Sequence, residues 1–337
     1  MAGPLGRTGG GSEGQSSKSM APESRRVLGL EREAVALVDR MPELLMEAAR
    51  IASTVAQGIH GRRRAGPGET FWQFRQYQPG ENASNVDWRR SASSDHLYVR
   101  EREWEAAHTL YLWPDISPSM DFKSHLSNVT KRDRALVLAL ASAEMLVRGG
   151  ERVALLGQTL PTASRNAATR IAETIVVNAN SELIQKSLPP NAGLNRFAGL
   201  ILFSDFLAPV HALRERLEGY AAHGVGGHLV QIIDPAEETL PYHGRTEFLT
   251  PSGNQRWVAD RVEALREKYQ ERFAAHRAEL AEMTKRFGWS LLTHHTDRPA
   301  SEPLLSLLMR LNGSAQGYRW MSSSSDAVSK GVKERTR

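Results

Sequence analysis

The chain has no cysteine among its 337 residues. That excludes disulfides, thiolate metal ligands and a cysteine nucleophile, and it fits a cytoplasmic protein. No apolar run approaches the roughly 20 residues needed to cross a bilayer. The stretch from Met1 to Ser24 is Gly/Ser-rich without an apolar core, so it does not read as a secretory signal. A Gly-x-x-x-x-Gly-Lys-Ser/Thr loop is missing, so the chain is not itself expected to be a P-loop ATPase. Ser119 and Ser204 lack a Gly-x-Ser-x-Gly elbow, which leaves a hydrolase triad without support. Gly224-Val225-Gly226-Gly227 precedes an apolar run instead of following one, so it reads as a helix stop and turn, not a dinucleotide loop.

What is present is a composition of globular type, 40% hydrophobic and 24% charged, with a net charge of +5. Residues 1–26 hold four basic and two acidic residues, and residues 313–337 hold five and two, so the tails carry the whole excess. A dedicated nucleic-acid binder carries its basic stripe on the folded domain. No specific nucleic-acid groove is therefore expected, although the tails leave a nucleic-acid accessory role as a third reading.

The pattern divides the chain into a disordered tail (1–26), a helical and β-rich segment (27–105), an α/β domain (106–312) and a second disordered, basic tail (313–337). Val35, Leu37, Val38, Met41, Leu44, Leu45, Ala48, Ile51 and Val55 follow helical spacing, with a break between two helices expected at Pro42. Arg62, Arg63 and Arg64 form a basic, glycine-flanked loop that could hold a phosphate or carboxylate. The alternative is a solvated turn pairing with Glu69, Asp87 or Glu101. From Ala107 onward, strand and helix patterns alternate, which predicts a doubly wound, mainly parallel sheet of about six strands. A long helix is expected over 258–287.

Two apolar runs end in acids. His108–Trp113 leads to Asp115-Ile116-Ser117-Pro118-Ser119, and Leu200–Phe203 leads to Ser204-Asp205. Ligands of open α/β sheets bind outside the carboxyl ends of the strands. Alternate side chains of a near-extended loop point the same way, so Asp115, Ser117 and Ser119 could offer three oxygens to one hard cation. Mg²⁺ suits such a site, because it takes oxygen ligands octahedrally and keeps several waters. The alternative is an ordinary strand-to-helix turn with Asp and Ser as caps.

These runs resemble the metal-ion-dependent adhesion site of von Willebrand factor A-type domains. More broadly, residues from about Gly58 to Leu311 resemble the family catalogued as domain of unknown function 58. The resemblance rests on Phe74-Arg75-Gln76-Tyr77-Gln78-Pro79-Gly80-Glu81, Asp87-Trp88-Arg89-Arg90-Ser91-Ala92, Trp113-Pro114-Asp115-Ile116-Ser117-Pro118-Ser119-Met120, Leu202-Phe203-Ser204-Asp205-Phe206-Leu207 and Asp234-Pro235-Ala236-Glu237-Glu238. It implies a von Willebrand factor A-like fold, no established reaction, and association with a MoxR-type AAA+ ATPase as adaptor or co-chaperone. It also implies that Asp115, Ser117 and Ser119 hold a cation, with Asp205 beside them. One departure stands out: the adhesion-type site takes a further Thr, and Thr159, Thr162, Thr169 and Thr174 stand in no matching context.

The resulting expectation is a non-enzymatic protein-interaction module, assisted by Mg²⁺ or another divalent cation, that serves protein clients. The rival reading is a metal-dependent phosphoester hydrolase that uses the same acidic edge with Arg62–Arg64 as a clamp.

Overall fold

The computed structural model describes residues 22–60, 71–77, 86–94, 96–102, 108–178, 186–250 and 255–311. Arg62, Arg63 and Arg64, most of the first tail and all of the second lie outside the described residues.

The first described element is one continuous helix, α1 (Pro22–His60), which runs through Pro42. The expected break at Pro42 does not occur, and residues 22–26 are helical, not tail. An internal proline costs about 3 kcal/mol or more through its missing N–H and its clash with the preceding turn. Burial outweighs that cost here: Leu37, Met41, Leu44, Ala48, Ile51, Ala52 and Val55 form a buried stripe, while Val35 and Val38 face outward. β1 (Phe71–Gln76) and β2 (Tyr98–Arg102) then pair antiparallel, with the short helix α2 (Trp88–Ser91) between them.

The main sheet takes β3 (Thr109–Pro114), β4 (Arg152–Leu155), β5 (Gly199–Ser204), β6 (Gly226–Ile233) and β9 (Ser290–His295) in the order β4-β3-β5-β6-β9. All four pairings are parallel, so the sheet has five strands where about six were expected. Between the strands lie α3 (Lys131–Arg148), α4 (Ala167–Val177), α5 (Val210–Ala222), α6 (Pro235–Thr239) and α7 (Arg266–Arg286). A last helix, α8, covers residues 301–311. β7 (Thr246–Leu249) and β8 (Arg256–Ala259) form a separate antiparallel pair. The long helix expected over 258–287 therefore starts only at Arg266, because residues 256–259 are held as a strand by their pairing with β7. Among the described residues, no helix is long and apolar enough to cross a membrane.

Side chains alternate across a strand, and this splits each apolar run between two cores. Leu110, Leu112, Val153, Leu155, Ile201, Phe203, Val230 and Ile232 face α1, α3, α4 and α8. Tyr111, Trp113, Ala154, Leu200, Leu202 and Leu229 face α5 and α7.

Gly227 on β6 has no room for a side chain: a Cβ there would lie 2.0 Å from Trp289 Cδ2. Trp289 cannot easily give way, because its indole N–H donates to the Val225 carbonyl at 3.0 Å. Gly227→Ala is expected to destabilise the chain at the upper end of the ~1–3 kcal/mol typical of overpacking. A urea midpoint unchanged from wild type would contradict that packing.

Candidate functional site

Counting only the strands of the parallel sheet, their order is 2-1-3-4-5. The chain leaves the first strand toward one edge and returns to the third on the other side, so the switch point lies between β3 and β5. Crevices at such points are where ligands bind in open α/β sheets. Asp115 follows β3 and Asp205 follows β5, and Pro114 pairs with Phe203 in register. The two acids thus emerge side by side, with the Asp115 N–H donating to the Phe203 carbonyl at 2.8 Å.

Asp115 is fully buried. Ser117 N–H donates to its Oδ1 at 2.8 Å and the Ser204 hydroxyl to its Oδ2 at 2.6 Å. Burial, reinforced by the facing Asp205, pushes the Asp115 carboxyl up to about 6 against these hydrogen bonds. Ser117 caps a 3-10 turn (Pro118–Asp121), and its Oγ lies 3.2 Å from Ser119 Oγ. The structure therefore brings Asp115, Ser117, Ser119 and Asp205 to one sheet edge.

It also brings a residue the sequence reading did not single out. Lys131, the first residue of α3, is fully buried, and its ammonium donates to Asp205 Oδ2 at 2.9 Å and to Glu237 Oε1. Burial pulls the Lys131 ammonium down, but Asp205 and Glu237 outweigh that and hold it above the ordinary lysine value. Burial likewise pushes Glu237 up, opposed first by Lys131. The Phe122 ring covers the ammonium, with its centroid 5.7 Å away.

Glu237 is held in place by a capping box. Asp234 accepts from Ala236 N–H at 2.9 Å, and Glu237 Oε2 accepts from Asp234 N–H at 2.9 Å. The buried Asp234 also accepts from Ser124 N–H at 2.9 Å, which ties the loop after β3 to the end of β6. The loop after β5 is equally constrained: Leu207 N–H donates to Asp205 Oδ1 at 3.1 Å, and Gln231 donates to the Asp205 carbonyl at 3.2 Å. Phe206 sits there at φ 52. A left-handed non-glycine residue costs roughly 1–2 kcal/mol, and the Ser204 hydroxyl that accepts its N–H at 3.0 Å helps to hold it. The Asp234-Pro235-Ala236-Glu237 spacing was a readable cap signal; Lys131 gave none, since its partners lie 74 and 106 residues away.

As arranged, these donors fit Mg²⁺ poorly. Both oxygens of Asp115 and both of Asp205 already accept hydrogen bonds, and one of the latter holds an ammonium. An octahedral ion at ~2.0–2.1 Å from its ligands would have to displace that ammonium or sit beside it. Three of the threonines weighed as the further ligand bond within their own segments: Thr159 Oγ1 accepts from Leu155 N–H, Thr162 Oγ1 accepts from Ser164 N–H, and Thr174 Oγ1 donates to the Arg170 carbonyl. Among the described residues, no group of three or more His, Cys, Asp or Glu side chains is placed to hold a metal.

Known proteins resemble this chain in sequence. Uncharacterized proteins of Mycobacterium bovis and of two Mycobacterium tuberculosis strains are 28% identical to it over 262 residues, 72% of this chain and 80% of theirs. Among solved structures, the conserved hypothetical protein BatB from Bacteroides thetaiotaomicron aligns with 61% of this chain and 100% of its own, at 15% identity. The TM-score of that alignment is 0.33. Residues 73–279 match the family described as protein of unknown function DUF58. The chain belongs to the DUF58 family.

Proposed function

We propose that this chain is a non-enzymatic protein-interaction module of von Willebrand factor A-like type, and that it docks a partner at the edge formed by the loops after β3 and β5. The observation that carries this reading is the surface around the buried carboxylates. Phe122, Leu126 and Leu207 are 38%, 41% and 44% exposed on loops that the Lys131, Asp205 and Asp234 bonds hold in place. Apolar side chains presented on a rigid frame suit docking, because little ordering entropy remains to be lost. The engaged Asp115 and Asp205 oxygens favour recognition over acid–base work. The family resemblance points to a MoxR-type AAA+ ATPase as the partner, with this chain as its adaptor toward protein clients.

The test is co-elution of the full chain with a MoxR-type ATPase from the same organism. Phe122→Glu and Leu207→Glu, both at exposed positions, are each expected to weaken binding at least ten-fold, which corresponds to ~1.4 kcal/mol. Binding indifferent to both changes would remove this edge as the docking surface. Metal-dependent turnover of a model phosphate ester, lost in Asp115→Asn, would establish the hydrolase reading instead.

A further inference from the structure

We propose that the Lys131 ammonium is the resident cation of the acidic sheet edge, occupying the Asp205 oxygen that a divalent ion there would need. Three separate elements converge on it. Lys131 comes from the start of α3, Asp205 from the end of β5 and Glu237 from α6. Each is fixed from behind. Thr130 caps α3 by accepting from Asp133 N–H, and the Lys131 N–H itself donates to the Phe122 carbonyl at 3.3 Å. Leu207 N–H holds the other oxygen of Asp205, and Asp234 N–H holds the other oxygen of Glu237.

A lysine ammonium has three donors and no acceptor. Here two donors are taken by carboxylates, and the ring of Phe122 lies over the same group. An ammonium so enclosed neutralises one of the facing carboxylates with a charge that cannot dissociate from the chain. A Mg²⁺ bridging Asp205 would instead depend on the free ion concentration and would meet a positive charge already there. The exchange also fits Thr159, Thr162 and Thr174, whose hydroxyls bond within their own segments.

This inference concerns the same edge as the docking proposal but does not depend on it, because it is tested on the isolated chain. Mn²⁺ binding to the full-length protein is followed by electron paramagnetic resonance, and thermal melts are run in EDTA and in millimolar Mg²⁺. The wild type is expected to bind no Mn²⁺ at submillimolar concentration and to melt at the same temperature in both buffers. Its Lys131 Nζ resonance is expected to be protected from solvent exchange and unmoved by Mg²⁺. Lys131→Ala, which vacates the position between the carboxylates, is expected to gain Mn²⁺ binding and a Tm that rises by several degrees with Mg²⁺. Saturable Mn²⁺ binding by the wild type, or a Mg²⁺-dependent shift of the Nζ resonance, overturns the proposal. So does a folded Lys131→Ala that ignores both ions. If that variant does not fold, the wild-type binding and resonance measurements decide alone.

Discussion

Lys131→Met is expected to lower the unfolding free energy by about 3–5 kcal/mol, the usual cost of stranding one side of a buried ion pair. At ~2–4 °C per kcal/mol for a chain of this size, Tm should fall by roughly 6–20 °C. Methionine fills the volume of the lysine stem, so the loss reports the charge and not a cavity. What remains is Asp205 and Glu237 facing each other with no counter-ion among the contacts that now hold them. The folded Lys131 lies above its ordinary 10.5, so its share of stability is present below that value and lost only as pH rises through the folded one. The gap between wild type and variant should therefore persist across the neutral range. Matching neutral-pH denaturation curves for the two proteins would show that the ammonium is not holding the edge together.

Asp115→Asn is expected to act in the opposite direction. The folded carboxyl is raised to about 6 from 3.8, so its favourable contribution is complete below pH 3.8 and disappears as pH climbs through 6. Ionised Asp115 thus costs roughly 3 kcal/mol at neutral pH. Asparagine keeps the shape, accepts from Ser117 N–H and can donate to the Ser204 oxygen, yet carries no charge toward Asp205. The variant should be about 1–3 kcal/mol more stable than wild type at pH 7.5, with the advantage shrinking toward pH 4. Asp115→Ala should instead destabilise, because it leaves the buried Ser117 N–H and Ser204 hydroxyl without an acceptor, at about 1–3 kcal/mol each. Thermal melts of the three proteins from pH 4 to 8 check both signs, and an asparagine variant weaker than wild type throughout would refute the charge argument.

Much of the sheet was legible because β3 and β5 are buried on both faces and read as near-continuous apolar runs, as in Leu200–Phe203. The meeting of Asp115 and Asp205 was legible for the same reason: both acids follow such runs, and adjacent parallel strands end at one edge. Where local pattern and long-range packing disagree, the sequence misleads. Pro42 signals a break, yet the buried side chains on either side carry the helix through it. Residues 258 and 259 look like the start of a helix, but their pairing with β7 makes them part of a strand. Lys131 looked like any polar residue at a helix start, and only its pairing with Asp205 and Glu237 across the chain sets it apart. That Asp115 is buried was likewise invisible, since one of its two partners, Ser204, lies 89 residues away.

The packing of α1 also has a consequence in time. The buried stripe from Leu37 to Val55 rests on α3 and α4, which the ribosome delivers only after residues 131–148 and 167–177 have been made. At ~5–20 residues per second, about 5 to 25 seconds separate the end of α1 from the end of α4. Until α3 is complete, the nascent chain carries a one-sided apolar helix without its main packing partner. The segment a chaperone would need to shield during synthesis is therefore α1, until its packing partners have been made.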